Sequence, residues 1–172
     1  MKKKYVITLD GKGIDEALKD IENMRQWLEQ KADEIAKRLA DKGYETAKVI
    51  ISNHVFSGST LEGLTVEKLG NAQYVVKVAS EAILFLEFGA GLIGYGHPDP
   101  MGFGPGTYPG KGHWNNPNGW FFETDDPRLI VKTTKDGKTL GHSYGIAPAM
   151  PMYTAHKEVE MDILNVAREV FA

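Results

Sequence analysis

The sequence predicts an α+β fold: a long N-terminal helix and a C-terminal helix packed on an antiparallel sheet, with a long Gly/Pro/aromatic loop in the second half. Three observations carry this prediction. Apolar residues recur at three- and four-residue spacing from Ile14 to Ile51, the period of one helix face. Gly70-Asn71 and Asp136-Gly137 each sit between alternating apolar and polar runs, the pattern of antiparallel hairpins. A second helical stripe, Met152, Ala155, Val159, Ile163, Val166 and Val170, follows Pro148 and Pro151.

Taken in order, Tyr5, Ile7 and Leu9 alternate with Val6 and Thr8, which predicts a short strand closed by Asp10-Gly11. The long helix follows, with Asp15 and Glu16 placed to complement the dipole in its first turn. Its stripe runs Ile14, Leu18, Ile21, Leu28, Ala32, Ile35 and Leu39, then Ala47, Ile50 and Ile51, and stops near Asn53. Arg25 interrupts the stripe, so Asn23-Met24-Arg25 is expected to break it into two helices. Gly43 weakens it further on. A stripe of this length suits either a coiled coil or one face of a long helix packed on a sheet; the second is the expectation.

Ser57-Gly58-Ser59-Thr60 reads as a loop. Leu64 and Val66 pair with Tyr74, Val76 and Val78 across Gly70-Asn71. The run from Ala82 to Phe88 is too short for its period to separate helix from strand. Residues 89–119 hold ten of the nineteen glycines and five of the eight prolines. A loop this long inside a domain is generally functional, and its rings and histidines (Tyr95, His97, Phe103, Tyr108, His113 and Trp114) give it groups that can dock. Strands resume at Trp120-Phe121-Phe122 and continue on both sides of Lys135-Asp136-Gly137-Lys138.

At 172 residues one domain is expected, able to bury a core without a metal or disulfide staple. There is no cysteine, which excludes disulfides and thiolate metal sites. The net charge of -3, with both signs mixed, lacks the basic footprint of a nucleic-acid binder. Met1-Lys2-Lys3-Lys4 opens like a signal peptide, but the apolar run after it is short and ends in Asp10. No segment is long enough to span a bilayer. The expectation is a soluble protein made in the cytoplasm, with no cofactor.

Each candidate for chemistry has a plainer reading beside it. Gly89-Ala90-Gly91-Leu92-Ile93-Gly94 is a literal G-x-G-x-x-G, yet Tyr95-Gly96-His97-Pro98-Asp99-Pro100 cannot continue the helix that a dinucleotide site needs. Gly110-Lys111-Gly112 lacks the rest of a phosphate-binding loop. His97, Asp99, His113 and His142 could hold a divalent ion, but none shows the i, i+4 spacing of a helical metal site. A small metal-dependent hydrolase using His97, Asp99 and His113 is the alternative functional reading. Glu87, among Leu84, Phe85, Leu86 and Phe88, could be a general acid. The plainer reading has it accept backbone N–H groups or pair with an arginine. Ser57, Ser59 and Thr60 come with no hydrolase motif. Asp125-Asp126 before Pro127 reads as a solvated turn. Trp114, Trp120, Phe121 and Phe122 lack interleaved basic residues, so packing or protein contact suits them better than base stacking.

Two phrases frame the Gly/Pro loop. The first is Phe85-Leu86-Glu87-Phe88-Gly89-Ala90 and the second is Pro148-Ala149-Met150-Pro151-Met152-Tyr153-Thr154-Ala155. Glu87 to Ala90 resembles the "EFGT" phrase of the HK97 gp10-like family of phage proteins, with Ala90 at the usual Thr. The second phrase resembles the family's closing "P-x-x-PF(L/M)-x-x-A", with Met152-Tyr153 where Phe is common. Ser57 to Leu61 is similar, more loosely, to its small-Gly-x-Leu region. The order helix, hairpin, phrase, loop, phrase, helix agrees along nearly the whole chain.

The resemblance implies a structural protein at the head–tail junction of a long-tailed phage or prophage, completing the top of the tail, with no enzyme activity or cofactor. Implied partners are neck or connector and tail-tube proteins, and further copies in a homo-oligomeric ring; neither nucleic acid nor membrane is implied. The implied location is the virion, after synthesis in the host cytoplasm. The residues expected at its contacts are Glu87, Phe88, Gly89, Tyr95, His97, Phe103, Tyr108, Trp114, Pro151 and Tyr153. Deleting Pro98 to Lys111 is expected to leave a folded domain that cannot assemble.

Overall fold

The computed structural model describes residues 10–54, 59–80, 82–95 and 116–172. The expected strand at Tyr5–Leu9 and most of the Gly/Pro loop lie outside the described residues. Helix α1, Gly11–His54, is one continuous element of 44 residues, about 66 Å long at 1.5 Å per residue. Asp10 caps it. The Asp10 Oδ1 accepts the Gly13 N–H at 2.7 Å, and the Asp10 carbonyl accepts from Ile14. Asp10-Gly11 therefore starts the helix instead of ending a turn, and Asp15 and Glu16 fall just beyond its first turn.

The expected break at Asn23-Met24-Arg25 is absent. Arg25 stays in helical register and binds Glu22 at 2.8 Å and Glu29 at 3.3 Å. A charged residue in an apolar stripe changes what the face touches, not the backbone that carries it.

The short helix α2, Ser59–Glu62, replaces the second half of the expected Ser57–Thr60 loop. The buried Thr60 Oγ1 lies 2.9 Å from the Ser80 hydroxyl. Strands β1, Leu64–Gly70, and β2, Gln73–Val78, form a two-stranded antiparallel sheet. Gly70 pairs with Gln73, so the turn is Asn71-Ala72, one residue later than the sequence suggests. Ala72 takes φ +53° and its N–H is held at 2.9 Å by Asp33 on α1. Asp33 also binds Lys68 at 2.7 Å and the Tyr74 hydroxyl at 3.2 Å, so one helix carboxylate ties the hairpin tip down. The ammonium of Lys68, then the Ala72 N–H, hold that carboxyl below the usual aspartate range.

Helices α3, Ile83–Phe88, and α4, Gly91–Tyr95, follow. The second sheet has the order β3-β5-β4, all antiparallel, with β3 Trp120–Glu123, β4 Ile130–Thr133 and β5 Thr139–Ser143. Instead of one sheet of several strands, the described residues build two small ones. The turn between β4 and β5 closes through Thr134 and Lys138, with Gly137 at φ +81°. That conformation suits glycine. The two-residue strand β6, Gly145–Ile146, leads to helix α5, Pro151–Phe171.

Helix α5 runs antiparallel to α1. Thr46 meets Glu158 at 2.9 Å, Lys42 meets Asp162 at 2.8 Å, and Arg38 reaches Glu169 at 3.5 Å. Gly43 has a packing reason: a Cβ there would lie 3.2 Å from Val159 Cγ2. Ala47, Ile51, Leu64 and Ala155 form the buried centre, with Tyr44, Leu61, Val76, Val78, Ile83 and Met152 packed around it. The α1 stripe is thus covered by α5 and the first hairpin, and only over its second half. Ile163, expected on the buried stripe of α5, is exposed, while Pro151, Ala155, Val166 and Val170 are buried.

Candidate functional site

The two phrases that frame the Gly/Pro loop come together at the start of α5. Met150, the residue before that helix, adopts the left-handed conformation (φ +51°, ψ +49°) and supplies no side-chain cap. The cap comes instead from Glu87 on α3. Its two carboxylate oxygens accept the N–H groups of Met152 at 2.9 Å and Tyr153 at 2.8 Å. These are the second and third helical positions, the donors an N-cap side chain ordinarily satisfies. Glu87 is buried, and a carboxylate facing a helix N-terminus also meets the positive end of the helix dipole. Pro151 at the first position has no N–H to satisfy.

Further contacts close the junction. The Leu86 carbonyl accepts from Ala149 at 2.7 Å and from Met150 at 3.1 Å. Ala90 bridges Ile146, and Gly91 bridges Gly145, in antiparallel fashion. Gly89 sits at φ +76°, where an added Cβ would lie 2.8 Å from the Ile146 carbonyl and 2.9 Å from Pro148 Cδ. Only glycine fits this approach. The plainer reading of Glu87 is what the structure shows, with the donors arriving from the opposite phrase and not from its own neighbourhood. With both oxygens committed to backbone donors, this carboxylate anchors a helix.

Beside the junction lies an exposed apolar and aromatic surface. Leu92 and Ile93 are exposed on α4, which abuts β6, and Tyr144, just before β6, is exposed too. The His142 ring stands edge-on between Phe121 and Tyr144, with centroids 4.7 Å from each. An open groove of about 430 Å³ is lined by Asn53, His54, Leu86, Ile93 and residues 145–148. Along β3, Phe121 faces out, whereas Phe122 faces Gly141 and Trp120 lies against Gly91. The expectation of packing or protein contact for these rings divides by face.

The sequence-predicted site residues separate into two groups. Glu87, Phe88, Gly89, Pro151 and Tyr153 meet at the junction, where Lys157 Nζ lies 5.8 Å from the Tyr153 ring centre. The backbone of Tyr95 ends α4. His97, Asp99, Phe103, Tyr108, His113 and Trp114 lie outside the described residues. His142 is engaged structurally, its Nε2 2.9 Å from the Asn118 carbonyl. Among the described residues, no group of three or more His, Asp or Glu is placed to hold a metal ion. The G-x-G-x-x-G stretch does start a helix, but one of five residues that follows a helix and not a strand. That is not dinucleotide-binding geometry. The turn expected before Pro127 falls instead on residues 127–129, with Asp126 opening it: the Asp126 carbonyl accepts from Leu129 at 3.0 Å. The Asp126 carboxylate accepts from the Arg128 N–H at 3.0 Å and binds the guanidinium at 2.6 Å, and that guanidinium brings its pKa down to about 2. Leu92, Ile93 and Tyr144 were not singled out by sequence. Their signal is exposure, which appears only once β6 and α4 are placed.

No helix among the described residues is long and apolar enough to cross a membrane. Comparison with protein-family models, curated proteins and solved structures returns no match.

Proposed function

We propose that this chain is a non-catalytic structural protein of a phage or prophage head–tail junction, completing the top of the tail and joining it to the head. Its partners are neck or connector and tail-tube proteins, together with further copies of itself in a ring, and its location is the virion. The observation that supports this reading is the junction itself. The two phrases that resemble the HK97 gp10-like family dock on each other through Glu87, Leu86 and Gly89. They act as one structural unit, as parts of a shared fold signature should. Glu87, a candidate general acid by sequence, accepts two backbone N–H groups as the cap of α5, a structural role that a scaffold uses.

The exposed Leu92, Ile93, Phe121 and Tyr144 beside the junction suit an assembly contact, where aromatic residues are enriched. The test is mass spectrometry of particles purified from the producing strain after prophage induction. The expected result is this protein at low copy beside portal and tail-tube proteins. Its absence from intact tailed particles rejects the proposal. Stoichiometric zinc that survives dialysis and is lost in His97→Ala would replace it with the hydrolase reading.

A further inference from the structure

The first half of α1 carries an apolar seam that no other described element covers. Ile14 is 47% exposed, Leu18 59%, Ile21 63% and Leu28 46%. Helix α5 makes its last aromatic contact with α1 through Phe171, whose ring lies 5.6 Å from that of Trp27. Residues 11–26 project past that contact.

The spacing of the seam is specific. Ile14, Ile21, Leu28 and Ile35 recur every seven residues, and Leu18, Arg25 and Ala32 recur every seven between them. That is a 3.5-residue period, with steps of four then three. A helix that only packs on a core needs a wider stripe and no strict heptad. In heptad terms Ile14, Ile21 and Leu28 are d positions, and Leu18 and Arg25 are a positions.

The charges say which helix fits. Asp15, Glu22 and Glu29 occupy the e positions; Ala17, Met24 and Lys31 occupy g. In an antiparallel pair, e faces e, and the carboxylates would oppose one another. In a parallel, in-register pair, Glu22 faces Ala17 of the other copy and Glu29 faces Met24, and acidic residues oppose each other only at the helix start, where Asp15 faces the cap residue Asp10. Arg25 would place one guanidinium per chain in the seam, and each already has Glu22 and Glu29 of its own chain bound to it. A single polar a position, balanced by its own carboxylates, pins the register.

We propose that the chain self-associates through a parallel, in-register coiled coil of the first half of α1, with a second copy of this chain covering Ile14, Leu18, Ile21 and Leu28. This inference does not rest on the phage reading, and particle composition and solution mass test the two separately. Sedimentation of the full chain is expected to show a species larger than a monomer. The double variant Leu18→Glu, Ile21→Glu is expected to be a monomer with an unchanged far-UV circular dichroism spectrum, since both side chains are exposed.

The absence of cysteine allows a second, conservative probe. Ile21→Cys should cross-link to itself on mild oxidation, because d positions face each other in a parallel pair. Lys19→Cys, on the outer face, should not. A monomeric wild-type chain overturns the proposal. So does an oligomer that survives the double substitution, or one in which Ile21→Cys fails to cross-link.

Discussion

The two halves of α1 each carry an apolar stripe, and the stripes have opposite fates. From Ile35 to Ile51 the stripe is closed over by α5 and the first hairpin, and Ala47 and Ile51 are fully buried. From Ile14 to Leu28 the stripe is exposed. Gly43, against which Val159 of α5 packs, belongs to the covered half; the heptad steps from Ile14 through Arg25 to Leu28 belong to the free one. Periodicity tells which residues share a face. It does not tell what covers that face, because coverage is a property of distant chain.

The largest expected effect exploits this contrast. Ile51→Ala empties a fully buried site and should cost about 3 kcal/mol of stability in urea unfolding. Ile21→Ala, measured in protein dilute enough to be monomeric, should stay within about 0.5 kcal/mol of wild type. Equal losses at the two positions would mean that the first half of α1 is buried by its own chain, and the comparison would collapse.

The next effect concerns the junction. Glu87→Ala leaves the N–H groups of Met152 and Tyr153 without an acceptor in a buried position. The expected cost is about 2–3 kcal/mol, with the start of α5 losing hydrogen-exchange protection first. Glu87→Gln keeps one acceptor but turns an amide donor toward the other N–H, and should lose about half as much. A Glu87→Ala chain as stable as wild type would show that Leu86 and Pro151 alone hold the junction.

Much of this architecture was legible in the residues. The two long helices, the pairing of Leu64–Val66 with Tyr74–Val78, and the hairpin at Asp136-Gly137 follow from period and turn chemistry. The division of the strands into two sheets does not, because local patterns carry no information about which hairpins meet. The turn lies at Asn71-Ala72, one residue beyond the Gly70-Asn71 pair that the sequence marks. Ala72 holds a positive φ that its own side chain disfavours, and the tie to Asp33, 39 positions away, stabilises it. The candidate site was legible as two phrases but not as one junction. Glu87 and its donors are 65 and 66 residues apart, and nothing near Glu87 in sequence says that α5 begins at its carboxylate.

Acid sensitivity tests the tie at the hairpin tip. Asp33 has its pKa lowered by Lys68 and by the Ala72 N–H. A lowered folded-state pKa contributes stability that is fully present above the ordinary value of 3.8 and is lost as pH falls through the folded value. Wild-type stability should therefore decline on acidification through this range, and Asp33→Asn should decline less steeply. Asp126, brought to about 2 by Arg128, acts in the same direction in both proteins and sets a common background. An Asp33→Asn acid limb as steep as that of wild type would remove the carboxylate from the account of the hairpin.

The smallest expected effect lies where the covered half of α1 is tightest. Gly43→Ala should gain about 1 kcal/mol from helix propensity alone, since alanine orders the backbone at lower entropic cost. Against this, the new methyl group would lie 3.2 Å from Val159 Cγ2 and 3.7 Å from Val76 Cγ2. Val159 sits on α5 with one strongly preferred rotamer, so it relieves the contact by shifting its helix instead of turning its side chain. The two effects oppose each other at similar size, and the net change in Gly43→Ala should stay within about 0.5 kcal/mol. Pairing it with Val159→Ala removes the obstacle. The coupling between the two changes should then be favourable by about 1 kcal/mol, read from a double-mutant cycle. A full propensity gain in the single variant would show that α1 and α5 have slack where Val159 meets Gly43, and that Gly43 has no packing role.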